Sequence, residues 1–241
     1  MKIGTINIDW FKKSKPLQGD IIAELDKQDF DFLITTENIL SFKFNENHFH
    51  YHTTPIPTDR EFQKLKYGIY IKGEIPLRTS IYSKHPSASQ IKTIDPYTSL
   101  CHKFIVDGNQ LCIYGTIIGT YGIKYQKEIA QPELDNFKTD IQHILPFNQN
   151  MVIAGDFNTS FYEEERRQLP VIQSRNEIIK FTDKKSIFRA TEEIEQNIDH
   201  IFISENLKKH IQMPPSVFLA DNMLKDEPHQ GISLTVNFNT Y

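Results

Sequence analysis

Residues 151–159 read MVIAGDFNT, an apolar run from Met151 to Ala154 that passes through Gly155 and stops on an acid. A short apolar run bounded by turn residues is a strand buried on both faces, which places it at the centre of a sheet. Asp156 and Asn158 follow with Phe157 between them. In an extended strand end, residues two apart point to one face, so a carboxylate stands beside an amide. Such a pair suits a hard cation and a phosphate oxygen. Gly155 lets another backbone or a ligand come close. The same residues also make an ordinary polar turn, with Asn158 in an Asx turn, and this segment alone does not separate the two readings.

The surrounding elements are consistent with a sheet-centred fold. KIGTINI at the N-terminus alternates as a strand, and SKPLQGDIIAELDKQ follows with Ser14 as a cap and Leu17, Ile21, Ile22 and Leu25 at helical spacing. DFDFLITTEN reads as a buried strand that ends at Glu37. YGIYIKG and RTSIYSKHP are strands by their β-branched and aromatic content. HKFIVDGNQLCIYGTII is a hairpin turning on Asp107-Gly108-Asn109. The stretch YQKEIAQPELDNFKTDIQHIL is helical and is expected to start anew near Pro132, with Leu134, Phe137, Ile141 and Ile144 on one face. VIQSRNEIIKFT is a further helix; NIDHIFIS, SVFLA and GISLTVNF are strands. Hairpins mixed with helices, without strict alternation, predict an α/β fold of two mainly antiparallel sheets with outer helices.

Composition narrows the function classes. The chain has 241 residues, 39% of them hydrophobic and 24% charged, as in a globular protein, and we expect a single domain over 1–241. No apolar run has the length of a membrane span, and no secretion signal precedes the first strand, so a cytoplasmic protein is expected. Cys101 and Cys112 lie outside any metal-ligand spacing and read as buried thiols. A net charge of −4 argues against a simple nucleic-acid-binding module, but not against an enzyme whose bound cations supply positive charge locally.

Three further strand ends carry acidic or amide groups. Asn7 and Asp9 end the first strand, Glu37 follows Thr35 and Thr36, and Asp199 stands just before an apolar alternation. His229 precedes the last strand, in KDEPHQGISLTV. Each alone is an unremarkable polar residue at a strand end. Together they are a candidate constellation.

In order and spacing, TINID, LITTEN, GDFNT, NIDHIFIS and PHQGISL resemble the DNase-I-like endonuclease/exonuclease/phosphatase family, and the resemblance runs from Lys2 to about Val236. It implies a four-layered α/β/β/α sandwich and divalent-cation-dependent hydrolysis of a phosphoester, with Mg²⁺ or Mn²⁺ as cofactor. Carried over by residue, it makes Glu37 the principal metal carboxylate, with Asn7 and Asp9 around it. Asp156 orients or deprotonates the attacking water, and Asn158 and Asn7 bind the scissile phosphate. Asp199 pairs with His229 and holds one imidazole tautomer. His200, beside Asp199, points to the opposite face and reads as packing.

Two departures stand out. Pro228 occupies the position of the family's Asp before the final histidine, and Ile117 stands where the family places His or Tyr. Tyr121 is the candidate to replace the latter as a substrate contact. The expected substrate is a phosphodiester, nucleic acid included, turned over by a monomer. Arg60, Lys64, Lys66 and Lys84, with Tyr67 and Tyr82, are candidate duplex contacts or simply solvated side chains. The inositol-phosphatase signatures of the family are not matched. The alternatives are a phosphatase acting on a small or lipid substrate, and a weakened or non-catalytic binding protein on the same scaffold.

Overall fold

Two six-stranded sheets pack face to face in the computed structural model, which describes residues 1–10, 13–57, 59, 75–119, 127–163, 172–219 and 229–238. The first sheet contains β1 (Lys2–Asn7), β2 (Phe32–Ile39), β3 (Phe49–His52), β4 (Pro76–Ser83), β11 (Ile211–Phe218) and β12 (Gly231–Val236), in the order β11-β12-β1-β2-β4-β3. The second contains β5 (Ser87–Ile91), β6 (Leu100–Val106), β7 (Asn109–Ile117), β8 (Met151–Asp156), β9 (Ile187–Arg189) and β10 (Asp199–Ser204), in the order β5-β6-β7-β8-β10-β9. Each sheet has one parallel pair at its centre, β1 with β2 and β7 with β8. All other pairings are antiparallel.

Side-chain alternation along the central strands builds four layers. Ile3, Phe32, Ile34, Ile81 and Leu234 of the first sheet meet Phe104, Ile113, Val152 and Ile201 of the second in a shared core. On the far side of the first sheet, Ile6, Leu33 and Tyr82 are covered by Ile21 and Leu25 of α1 (Lys15–Lys27). On the far side of the second, Tyr114, Met151, Ile153 and Phe202 are covered by α2 (Lys127–Ile144) and α3 (Ile172–Lys184). A one-turn helix, α4 (Glu205–Lys208), follows β10. The architecture is the α/β/β/α sandwich expected. Cys101 and Cys112 are free, buried thiols with their sulfurs 3.3 Å apart.

Local expectations fail in instructive places. The helix does not restart at Pro132, which lies inside α2. Proline removes one intrahelical bond there, but Ala130, Leu134, Phe137 and Ile141 form a continuous buried face across it. Ser14 occupies the N-cap of α1 without a side-chain cap bond. The short strands β3, β5 and β9 are absent from the sequence reading because all three are sheet edges without an apolar run. The expected strand YGIYIKG lies outside the described residues.

Gly155 shows what the central parallel pair demands. It has a φ of 143°, and a Cβ there would sit 1.8 Å from the carbonyl oxygen of Thr116 on β7. No side chain fits without moving the β7 backbone. Gly155→Ala is expected to destabilise the fold by about 3 kcal/mol or more, from backbone strain and steric overlap together. Urea denaturation of the variant checks this, and a loss below ~1 kcal/mol would contradict it.

Candidate active site

Three polar segments of the site share one local device. The backbone N–H of Asp9 donates to Asn7 Oδ1 at 2.8 Å, that of Asn158 to Asp156 Oδ1 at 2.7 Å, and that of Asp199 to Asn197 Oδ1 at 3.1 Å. Each is an Asx turn, in which a short polar side chain bonds the backbone two residues on. The turn ends β1 and β8, and it launches β10. Asp9 and Asn158 take left-handed backbone conformations, with φ of 38° and 49°. Asp156 and Asn158 therefore do not present their side chains side by side on one extended face, as strand geometry predicted. Asn158 instead turns its amide to donate to the Ile118 carbonyl at 2.9 Å.

Glu37 reaches the site by the same kind of departure. Strict alternation would put it on the helix-covered face with Leu33 and Thr35. Its φ of 53° turns it back towards Asn7. The strand does not end there but continues through Asn38 and Ile39, with Asn38 paired opposite Leu77. Asn38 also donates to Thr35 Oγ1 at 2.8 Å, a contact between residues three apart that regular pleating does not permit.

Asn7 is the hub. Its Nδ2 donates to Asp156 Oδ2 at 2.9 Å and to Glu37 Oε2 at 3.1 Å, and lies 3.5 Å from His229 Nε2. Both amide hydrogens are thus placed on carboxylates from two different sheets. Asp199 stands directly opposite Asp156 in the β8–β10 ladder. Like charges in that position repel, and both side chains are buried. The compensating charge comes from the first sheet, where His229 Nδ1 sits 2.9 Å from Asp199 Oδ2.

The electrostatics follow from this crowding. Burial raises the Asp156 carboxyl; His229 opposes the rise, Asp199 and Glu37 add to it, and the net position is about 7. Burial pulls the His229 imidazole down, but Asp199, Asp156 and Glu37 together lift it to about 10. At neutral pH His229 is a cation held by Asp199, with Nε2 turned inward. The Asp156 carboxyl is moved up from its ordinary acidic range towards neutrality, the direction that suits a general base.

A divalent cation fits this donor set. Oxygens of Asp156 and Asp199 lie within 4.8 Å of each other, and Glu37 joins Asp156 on the same amide nitrogen, while the charged His229 stands beside these oxygens rather than among the ligands. Asp199 Oδ1 is buried without a hydrogen-bond partner. Clustered carboxylate oxygens with uncompensated negative charge are what a hard cation binds.

Of the residues singled out in the sequence, Asn7, Glu37, Asp156, Asp199 and His229 meet here. Asp9 is attached through its backbone bond to Asn7, and Asn158 through its bond to Asp156. His200 points away from the site, fully buried among Phe157, Phe161 and Phe202, bonded to Thr159 and Thr191 and held neutral by burial at about 4. Ile117 is buried opposite Asp156 in the β7–β8 pair. Lys84 pairs with Asp29 and Asp31 at the other end of β4, and Tyr82 is fully buried. Tyr121, Pro228, Arg60, Lys64, Lys66 and Tyr67 lie outside the described residues. Asn197 escaped the sequence reading, although the repeated spacing Asn-x-Asp, Asp-x-Asn, Asn-x-Asp is a visible signal for all three turns.

Comparison with known proteins separates sequence from structure. No family model matches the chain, and no curated protein matches it. Solved structures match over nearly its whole length. An AP endonuclease from Archaeoglobus fulgidus aligns with a TM-score of 0.70 at 12% identity, covering 98% of this chain and 99% of that one. A 3′ phosphatase, NExo, from Neisseria, bound to product DNA hairpin, aligns at 0.69 and 12%, covering 99% and 100%. The endonuclease domain of TRAS1, a telomere-specific non-LTR retrotransposon, aligns at 0.67 and 9%, covering 98% and 97%. The chain has the DNase-I-like endonuclease/exonuclease/phosphatase fold, as the sequence resemblance implied.

The raised Asp156 carboxyl has a measurable consequence. Its folded position, about 7, lies above the ordinary 3.8, so its stabilising contribution is present below pH ~4 and lost as pH rises through about 7. In divalent-free buffer, Asp156→Asn is expected to remove that part of the pH dependence, on the order of 2 kcal/mol or more between pH 4 and 8. Urea denaturation of both proteins across the window reads the difference. A difference independent of pH would show Asp156 ionised throughout.

Proposed function

We propose that this protein is a divalent-metal-dependent phosphoesterase of the nuclease type, hydrolysing a phosphodiester by in-line attack of water. The observation that carries the reading is the convergence of Glu37, Asp156 and the His229–Asp199 pair on the Asn7 amide, at one end of both sheets. The fold shared with nucleases and a 3′ phosphatase supports it. Nucleic acid is the first substrate class to test.

Roles follow from the chemistry of each group. Glu37 is the carboxylate that would hold the cation, with Asn7 and Asp9 flanking it. When bound, the cation would neutralise phosphate charge and lower the pKa of water, and carboxylate oxygen donors make Mg²⁺ or Mn²⁺ the expected ion. Asp156 accepts a proton from the attacking water, for which its raised carboxyl is suited. His229 presents a protonated Nε2 to a phosphate oxygen, and Asp199 fixes that orientation from Nδ1. Asn158 donates one amide hydrogen to the Ile118 carbonyl and has the second to offer a phosphate oxygen. Asn7 holds the two carboxylates at fixed separation before substrate arrives.

Ile117 motivates the second reading, a binding protein on the same fold. Buried and apolar beside Asp156, it offers no group to a phosphate oxygen. One assay separates the two. With bis-p-nitrophenyl phosphate, plasmid DNA, abasic duplex and RNA, wild type is expected to turn over at least one substrate only with Mg²⁺ or Mn²⁺. Glu37→Ala, Asp156→Asn and His229→Ala should each lose about 10²–10⁴-fold in kcat. Equal inertness of wild type and all three variants, with metal binding retained by wild type, would favour the binding protein.

A further inference from the structure

The two halves of the site lie on different sheets, so their separation depends on what fixes one sheet against the other. Among the described residues, two ion pairs cross from the first sheet to elements of the second half. One is His229–Asp199, inside the site. The other joins Arg78 of β4 to Glu133 of α2, at 3.1 Å, with both side chains almost fully buried. A buried ion pair adds little net stability, because desolvation offsets attraction, so its retention calls for a geometric reason.

The neighbours of the pair supply one. Arg78 stands opposite Glu37, between the pairs Thr36↔Thr79 and Asn38↔Leu77. Glu133 uses its second oxygen to accept the backbone N–H of Gly119 at 2.5 Å. The preceding residue, Ile118, donates its N–H to the Asp156 carbonyl at 2.8 Å and accepts the Asn158 amide at 2.9 Å. A continuous chain of bonds therefore runs from β4, beside Glu37, through Glu133 and the Ile118–Gly119 backbone, to Asn158 and Asp156. Gly119 leaves the carboxylate room, since a Cβ there would stand 2.9 Å from Glu133 Oε2.

We propose that Glu133, aimed by Arg78, is a positioning residue: its carboxylate sets the Ile118 carbonyl that orients the Asn158 amide. Its catalytic consequence rests on the phosphoesterase reading. In this chain the wall beside Asp156 carries Ile117, and the anchoring of that wall comes instead from a helix in the layer outside it.

Two variants separate positioning from simple cohesion. Glu133→Met and Glu133→Gln both remove the charge that faces Arg78, but only the glutamine keeps a carbonyl, for which Gly119 and Arg78 compete. Positioning predicts that Glu133→Met loses about 30–100-fold in kcat with KM changed less than about threefold, and that Glu133→Gln, with one carbonyl left for Gly119 and Arg78, loses several-fold less. An equal loss of kcat in both, or a wild-type kcat in folded Glu133→Met, would overturn it. The second readout needs no turnover: the Asn158 side-chain NH₂ resonances should shift in Glu133→Met and shift less in Glu133→Gln. Unshifted resonances in Glu133→Met overturn the positioning claim even if wild type is inert, whereas inert wild type with shifted resonances overturns only the phosphoesterase reading. Should Glu133→Met not fold, Arg78→Lys replaces it, keeping the charge without the planar fork. A lowered kcat at unchanged KM with shifted Asn158 resonances then supports positioning, and wild-type behaviour in both overturns it.

Discussion

Asn7 Nδ2 lies between two carboxylates that the fold brings from different sheets, and this contact sets the terms for everything around it. Asp156 and Glu37 each take one amide hydrogen, while Asp199 sits across the ladder from Asp156 with a lone oxygen unsatisfied. Buried carboxylates at this density are expensive, because burial removes the water that would otherwise solvate them. One imidazole offsets part of that cost. The rest remains as a raised Asp156 carboxyl, a local instability that the binding of a cation would relieve.

Regular strands cannot build such a site. Alternation sends neighbouring side chains to opposite faces, and the chemistry requires groups from Asn7, Glu37 and Asp156 to meet at one point. The chain solves this with local departures at the strand ends. Left-handed backbone at Asp9, Glu37 and Asn158 redirects the chain, and Asx turns hold two of those three residues in place. Non-glycine residues in that conformation cost of order 1 kcal/mol each; others, such as Asp29, Asn45 and Asp107, lie in turns away from the site, and at Asp9, Glu37 and Asn158 the cost is exchanged for site geometry.

This also explains how much could be read from the sequence. The layers were legible, because MVIAGD, FLIT and HIFIS bury both faces and so can only be central strands. Three of the four edges were not, since strands such as FHYH and SASQI carry no periodic apolar signal. The constellation was legible as a set of polar residues at strand ends, and Asn7, Glu37, Asp156, Asp199 and His229 do meet. Its internal geometry was not. Pleating predicted Asp156 and Asn158 side by side, but a left-handed Asn158 bonded to Ile118 has no signature in residue type beyond the repeated Asx spacing. Arg78 and Glu133, 55 residues apart, left no local trace at all, because their meeting depends on how α2 packs against the end of the second sheet.

The symmetry of the two sheets gives that long-range pair its importance. Each sheet has a single central parallel pair, β1–β2 or β7–β8, and the site takes Asn7 and Glu37 from one and Asp156 from the other. Within a sheet, ladder hydrogen bonds fix the spacing of such groups to a fraction of an ångström. Between sheets, apolar side chains such as Ile34 and Ile113 provide cohesion without direction. Directional bonds nevertheless cross that divide, among them the Ser87 N–H to Tyr51 Oη and the Thr79 hydroxyl to the Thr98 carbonyl. Asn7 to Asp156 and His229 to Asp199 are two of them, and both involve groups with chemistry to perform. Arg78 to Glu133 lies outside that chemistry, so it can hold the two halves in register while the groups within the site change charge.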